Sequence, residues 1–425
     1  MKPISMLRNA LRLLLATLPV LLFSGCDELD FLDPNGPSLG QTTVQTLVSG
    51  IESGMRNDYE FYVRSMSVIG REAYYLEPSD PRYTGELLGK NGSLLDPSGF
   101  LLVRSWASRY RVIRNCNILM NEFGGPEVNG FAKTIIAYQM LLNLNMTDVN
   151  GIRTDVGGEI PGPFVSKTDA LTQIEMFLDD GLADLQAAGA EFPFALSGGF
   201  ILFNNPAEFK KFNRAIKARV DVYQEDWQGA LTAVDSSFVN SAGALEVGAY
   251  HVYGSGSGDV ANNPVYEDPT ATAIKLFAHP TFTTEAEAGD TRVTAKTVVR
   301  ADSTTLDGLT ANVGQILTAS ATSPFPIIRN EELILLRAEA NIGLNALAAA
   351  EADINIVRNA AGLPSVTLAS QTAATDELLK QRRYSLFLEG HRWIDVRRYV
   401  MLDTLPIDRT GDLVHTAFPR PSDEI

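Results

Sequence analysis

The sequence predicts a degenerate helical-repeat scaffold, hairpins of tetratricopeptide type interrupted by long irregular loops. Three observations carry this expectation. Apolar residues recur at three- and four-residue steps over several long segments, two of those segments look alike as helix, short turn, helix, and two glycine- and proline-rich stretches separate them. With 425 residues, 45% hydrophobic and 20% charged, the chain has material for a large core. A formal net charge of −16 speaks against nucleic acid, whose phosphates are met by excess Lys and Arg, and against a basic face on an anionic membrane.

From the N-terminus, residues 1–25 have the form of a secretory signal. Lys2, Arg8 and Arg12 precede an apolar run from Leu13 to Phe23, too short for an ordinary membrane span, and Ser24 and Gly25 lead to Cys26. A cysteine directly after such a signal resembles the lipobox of bacterial lipoproteins, which implies acylation of Cys26 and a hold on a membrane surface. Residues 26–40, with "DELDFLDPNGPS", read as an acidic tether. The remainder, 41–425, is expected to be a single domain with loop insertions near 71–104 and 243–325. Cys116, the one other cysteine, lies in the apolar context "YRVIRNCNILMNEF" and is expected to be a small buried side chain.

In "SKTDALTQIEMFLDDGLADLQAAG", Leu171, Ile174, Leu178, Leu182 and Leu185 mark one face of a helix. Ser166 and Asp169 form its N-terminal capping pair, and it should end near Gly189. "FNRAIKARVDVYQEDWQGALTAVDSSFV" and "ELILLRAEANIGLNALAAAEADINIVRNAAGLP" are the two similar hairpins. Each has an alanine in its first helix (Ala218, Ala338) and another twelve residues on (Ala230, Ala350), small residues that let antiparallel helices approach closely. The irregular stretches run from Arg71 to Phe100 and from Gly243 to Thr305. Long loops on a rigid scaffold are where a ligand site is expected.

The most charged segment, "RRYSLFLEGHRWIDVRRY" (Arg382 to Tyr399), suggests one amphipathic helical segment in which Gly390 permits close packing or a break. His391 and Asp395 sit four residues apart like a base and its orienter, but no Gly-x-Ser-x-Gly elbow accompanies them. Arginine forks and carboxylates at this density suit a buried ionic network instead, with Leu386, Trp393 and Val396 on the apolar side. His251, His279, His391 and His415 have no metal-ligand spacing. "DVNGIRTD" (Asp148 to Asp155) lacks the remaining ligands of a calcium loop, and "YGSGSGD" does not continue into a phosphate-binding Gly-Lys-Ser/Thr. No metal or other cofactor is therefore expected.

Signal and lipobox, "RSWASRYRVIRNCNIL", "FNRAIKARVDVYQEDWQGAL", "RNEELILLRAEANIGLNALAAAEADINIVRNAAGLP" and "LLKQRRYSLFLEGHRWIDVRRY", in that order, resemble the SusD/RagB family of outer-membrane nutrient-binding lipoproteins. The resemblance spans most of the chain after the signal. Its tail "FPRPSDEI" departs in having Arg420 between the prolines, where an apolar residue is common. The resemblance implies an all-α fold of tetratricopeptide-like hairpins with irregular loops. It also implies a place on the cell surface as the lid of a SusC-like TonB-dependent transporter that takes up glycans or other nutrient oligomers, without catalysis.

Sugar rings present apolar faces to aromatics and hydroxyls to polar groups. "YYLEPSDPRY" offers Tyr74, Tyr75, Asp80, Arg82 and Tyr83, and "YHVYG" offers Tyr250, His251 and Tyr253. These are the candidate ligand residues. Two other functions remain open from the residues alone: a surface glycoside hydrolase working with two carboxylates, and a repeat scaffold that binds only protein.

Overall fold

The computed structural model describes residues 42–424 apart from 159–160, 255–261, 269–270 and 272. The signal, Cys26 and the acidic tether lie outside the described residues, as do positions 255–259 of the glycine-rich "YGSGSGD". Val44–Ile425 forms one packed unit.

In chain order it comprises α1 (Val44–Arg56), α2 (Tyr59–Ile69), β1 (Ala73–Tyr75), α3 (Phe100–Phe123), α4 (Pro126–Thr147), β2 (Ile152–Arg153), β3 (Phe164–Val165) and α5 (Lys167–Ala187). The first hairpin follows, α6 (Pro206–Gln224) and α7 (Trp227–Asp235), and then β4 (Gly248–His251), β5 (Leu276–Ala278), α8 (Pro280–Thr284), α9 (Thr291–Lys296), β6 (Thr297–Leu306), β7 (Leu309–Gln315) and β8 (Phe325–Arg329). The second hairpin is α10 (Asn330–Gly343) and α11 (Leu347–Ala360), with α12 (Gln371–Ser385) and α13 (Arg392–Arg398) after it.

Helices take 53% of the described residues and strands 10%, so the all-α expectation needs correcting. The second irregular stretch pairs with itself and with the first: β1, β5, β7 and β6 form one antiparallel sheet in that order, and β4 pairs with β8. Ile327–Ile328 gains its backbone partner from β4, distant in sequence, which period-based reading does not reveal, whereas Thr297–Val299 pairs with the adjoining β7 across the turn at Asp307 and Gly308.

Local signals hold where they are self-contained. Ser166 Oγ accepts a hydrogen bond from the Asp169 N–H at 3.1 Å, capping α5, and Leu171, Ile174, Leu178 and Leu185 are buried beneath it. At the crossing of α4 and α5 a Cβ on Gly130 would stand 2.5 Å from Leu185 Cγ, so glycine sets the approach of these two helices. Ala218, Ala230, Ala338 and Ala350 are all fully buried within their hairpins. A second apolar cluster, including Ile334, Ile354, Val357 and Leu378, binds α10, α11 and α12 to each other.

One contact between the two hairpins is especially close. Trp227, at the start of α7, lies on Gly343, at the end of α10, where a Cβ would come within 2.3 Å of the indole. Gly343→Ala should therefore lower stability by about 1–3 kcal/mol by overpacking, although alanine is the better helix former. A urea midpoint equal to or above wild type would contradict this.

The expected single helix over Arg382 to Tyr399 is two helices. α12 ends at Ser385, the chain turns through Leu386–Gly390 with φ of +62° at Leu388 and +83° at Gly390, and α13 begins at Arg392. Gly390 is the break the sequence permits, and the turn folds Arg382 back onto Asp395 at 2.7 Å.

Around this turn lies a buried ionic network. Arg219 of α6 grips Glu332 of α10 through two hydrogen bonds of 2.7 Å, Arg398 reaches Glu339 at 2.7 Å and Asp395 at 3.2 Å, and the Tyr399 hydroxyl donates to Glu339. Burial pushes the Glu332 carboxyl up, but Arg219 together with His391 and Arg382 more than offsets it and holds the group down at about 2. His391 and Asp395 do not form a dyad, because Asp395 is taken by the two arginines and the imidazole faces Glu332 at 3.9 Å. Arg420, the departure in the tail, lies with its guanidinium 4.5 Å over the Phe164 ring and donates to the Asn150 carbonyl.

Candidate functional site: an arginine-lined face on α2 and α3

Both loops carrying the predicted ligand residues arrive at the start of α2. On β1, adjacent tyrosines point to opposite faces, as strand geometry requires. Tyr74 turns inward, donates to Asp408 at 2.7 Å and meets the His279 ring edge-on, while His279 bonds the same carboxylate at 2.8 Å. Tyr75 turns the other way, its ring 4.5 Å from that of Tyr83 and covered by the Arg64 guanidinium at 4.8 Å. Arg82 holds Asp80 through two side-chain bonds, 2.9 and 2.8 Å, and lies 4.2 Å over Phe100.

From the opposite side β4 delivers His251 and Tyr253. His251 is buried against Tyr59, and burial drives its pKa well below the ordinary imidazole value, with Arg109 and Arg56 adding to the effect. Tyr253 sits beneath the Arg56 guanidinium at 5.6 Å. Tyr250, on the other face of β4, lines a different cleft and donates its hydroxyl to the Glu246 carbonyl.

The rings expected as open stacking platforms are thus mostly buried. Tyr74, Tyr75, Tyr83, His251 and Tyr253 have at most 8% of their surface exposed, and Tyr75, Tyr253, Phe61 and Phe100 each carry an arginine on one face. What faces solvent is the layer of arginines above them. Between the two loops lies a cleft of about 360 Å³ lined by Arg56, Asp58, Glu60, Arg64, Arg104 and Arg111, with Asn262 and Asn263 from the long loop.

Along α3 the same face continues into a larger groove of about 570 Å³, whose walls include Tyr110, Arg111, Arg114, Asn121, Arg153 and Gly157. Residues 104, 107, 111, 114, 118 and 121 follow a three- and four-residue step, so they form one stripe on α3. That spacing was legible in "RSWASRYRVIRNCNIL", where the arginines read only as part of a family motif. The far wall is tethered to the helix: Asn117 Nδ2 donates to the Val156 carbonyl at 2.9 Å, and the Tyr110 hydroxyl donates to the Arg153 carbonyl at 2.8 Å.

A third cleft, about 450 Å³, is lined by Tyr250, Lys296, Arg329, Glu331 and Glu389 among others. Its charges satisfy one another. Arg329 holds Glu331 at 2.9 Å and Glu389 at 3.0 Å, and Lys296 donates to the carbonyls of Tyr384 and Ser385 at the end of α12. Burial lowers Lys296 to about 8 and raises Glu389 to about 7. Asp148, in the glycine-containing turn, is engaged by Lys167 at 2.7 Å and Arg397 at 3.3 Å, so its charge is met by protein cations. Among the described residues no cluster of three or more His, Cys, Asp or Glu could hold a metal ion. Among them, too, no helix is long and apolar enough to cross a membrane.

The SusD family model matches residues 289–422, which contain the second hairpin and the α12–α13 turn. The fold recurs in solved structures of low sequence identity. A SusD superfamily protein from Bacteroides vulgatus superposes with a TM-score of 0.65 at 15% identity, over 91% of this chain and 96% of that one. A SusD-like carbohydrate binding protein from the same species gives 0.64 at 17%, over 86% and 84%. A laminarin binding SusD-like protein gives 0.57 at 17%, over 90% and 96%. No curated protein matches the sequence. In fold and in its C-terminal segment the chain is SusD-like.

Proposed function

We propose that this SusD-like chain is a nutrient-binding lipoprotein of the outer membrane. It captures an oligosaccharide and serves as the lid of a SusC-like TonB-dependent transporter, without altering its cargo. The observation that carries the reading is a solvent-facing cleft that one long loop lines through Asn262 and the other supports through Tyr75 beneath Arg64, on a scaffold whose C-terminal third matches the SusD family. The signal, Cys26 and the acidic tether supply an anchor and reach. The tetratricopeptide-like hairpins supply a rigid base, held by the Arg219–Glu332 and Arg382–Asp395 pairs.

Within this reading the tyrosines act at one remove. Tyr75, Tyr83 and Tyr253 hold the arginines in place, and the guanidinium edges and the exposed Asn262 amide meet the ligand's oxygens, while Asn263 is buried and spends its amide on the Ser323 carbonyl and the Val265 N–H. Asp80 fixes Arg82 over the Phe100 ring.

The test is purification of the tagged full-length protein from its native outer membrane in mild detergent, with mass spectrometry of what accompanies it. A TonB-dependent β-barrel should appear in comparable amount. Recovery of the protein alone, under conditions that keep other membrane complexes together, would overturn the lid. Labelled oligosaccharides incubated with the same preparation should be retained intact, and cleavage would place the protein among the hydrolases.

A further inference from the structure

We infer that the groove along α3 is a binding site for an anionic oligosaccharide, its carboxylate or sulfate groups held by Arg111 and Arg114. The inference rests on the saccharide-binding reading and names the class of saccharide. The chain as a whole carries sixteen more acidic than basic side chains, so a face that collects arginines runs against its composition. Arg56, Arg64, Arg104, Arg111, Arg114 and Arg153 line the two adjoining clefts.

Most of these are committed. Arg104 pairs with Asp58 at 2.7 Å, Arg153 with Glu424 at 2.9 Å, and Arg56 and Arg64 donate to the carbonyls of Val252 and Pro264. Arg111 and Arg114 are different. They are exposed, one turn apart on α3, and without an ion pair or hydrogen bond among the described residues. Among the described residues that line the groove Glu424 is the one carboxylate, and Arg153 already neutralises it. Glu60, the acid left without an ion-pair partner, lines the neighbouring cleft and not this groove.

Two further features make this a site for an extended ligand and not for a single ion. The stripe from Arg104 to Asn121 is roughly 26 Å long at 1.5 Å per residue, and Arg111 lines both clefts. The facing wall is held by the Asn117 and Tyr110 tethers, and Gly157 leaves it open, since a Cβ there would meet nothing within 4 Å. Paired guanidinium forks on a fixed helix match planar carboxylates and sulfates, while asparagine and tyrosine beside them suit sugar hydroxyls.

Titration calorimetry of the full-length protein in detergent tests this with three oligosaccharide series: galacturonate oligomers, sulfated galactan oligomers and neutral glucan oligomers. One charged series should bind at least about tenfold more tightly than the neutral one, and the identity of that series distinguishes carboxylate from sulfate. The double variant R111A/R114A should lose at least that factor with its thermal midpoint unchanged, since neither side chain is packed.

Neutral oligomers binding as well as charged ones, with the double variant unaffected, would overturn the inference and leave the saccharide reading standing. No binding of any series, together with absence of the transporter in the purification, would overturn both. Equal affinity for free sulfate or a single-stranded oligonucleotide would mark an unselective anion surface and also overturn it.

Discussion

Replacing Arg382 with alanine should lower the stability of the fold by about 3–5 kcal/mol, the range found when one partner of a buried ion pair is removed. The guanidinium is fully buried, donates to Asp395 at 2.7 Å and stands 4.0 Å from Glu339. Burial pushes the Asp395 carboxyl up, and Arg382 with Arg398 more than offsets this, keeping it below the ordinary carboxylate range. Without Arg382 much of that compensation is lost. The double variant Arg382→Met with Asp395→Leu should recover a large part of the deficit, because no buried charge of that pair is then left alone. Urea unfolding of the three proteins decides the matter. A single-variant loss below about 1 kcal/mol, typical of a surface pair, would mean that the network does not lock α12 to α13.

Acidification should expose a second dependence on the same turn. Burial lowers His391 to about 4, against the attraction of Glu332, whereas the unfolded chain titrates near the ordinary imidazole value of 6.5. Between these values the unfolded state binds more protons, so the stability that neutral His391 contributes is present above pH 6.5 and is lost as the pH falls through 4. The loss between pH 7 and pH 4 comes to about 3 kcal/mol from this residue.

Glu389 and Glu72 work in the opposite direction. Burial raises them to about 7 and about 8, so their contribution grows as the pH falls toward 4.5. The informative quantity is therefore the difference between wild type and His391→Asn across this range, measured by urea unfolding at each pH. The variant's stability should fall about 3 kcal/mol less, and parallel profiles would show that His391 is not held neutral by the fold.

Both effects originate in a block that, read alone, resembles a catalytic pair. Its residues were legible as an ionic network because arginines and carboxylates at helical spacing within an apolar frame need partners. Their actual pairing was not legible. Asp395 meets Arg382 because the chain reverses at Leu388 and Gly390, and Glu332 and Glu339 come from a helix more than forty residues earlier.

The candidate site divides in the same way. The length and composition of the two tyrosine-rich loops made them the candidate ligand region, and in the structure both pack against arginines of α1 and α2. Which side chains face solvent did not follow. Tyr74 and Tyr75 are adjacent and chemically identical, yet one bonds Asp408 in the interior and the other supports Arg64.

By itself, then, the sequence determined the helical segments, the α5 cap, the two hairpins with their buried alanines and the SusD-like C-terminal block. These depend on contacts within a few turns of one chain segment, and such contacts leave a period in the residues. Only the tertiary structure decided that β1 would find β5, that tyrosines would be buried beneath arginines, and that Arg111 and Arg114 would face a groove with no ion-pair partner among the described residues. Burial and pairing at those positions are set by elements brought together from distant parts of the chain, and no local periodicity records which face they will cover.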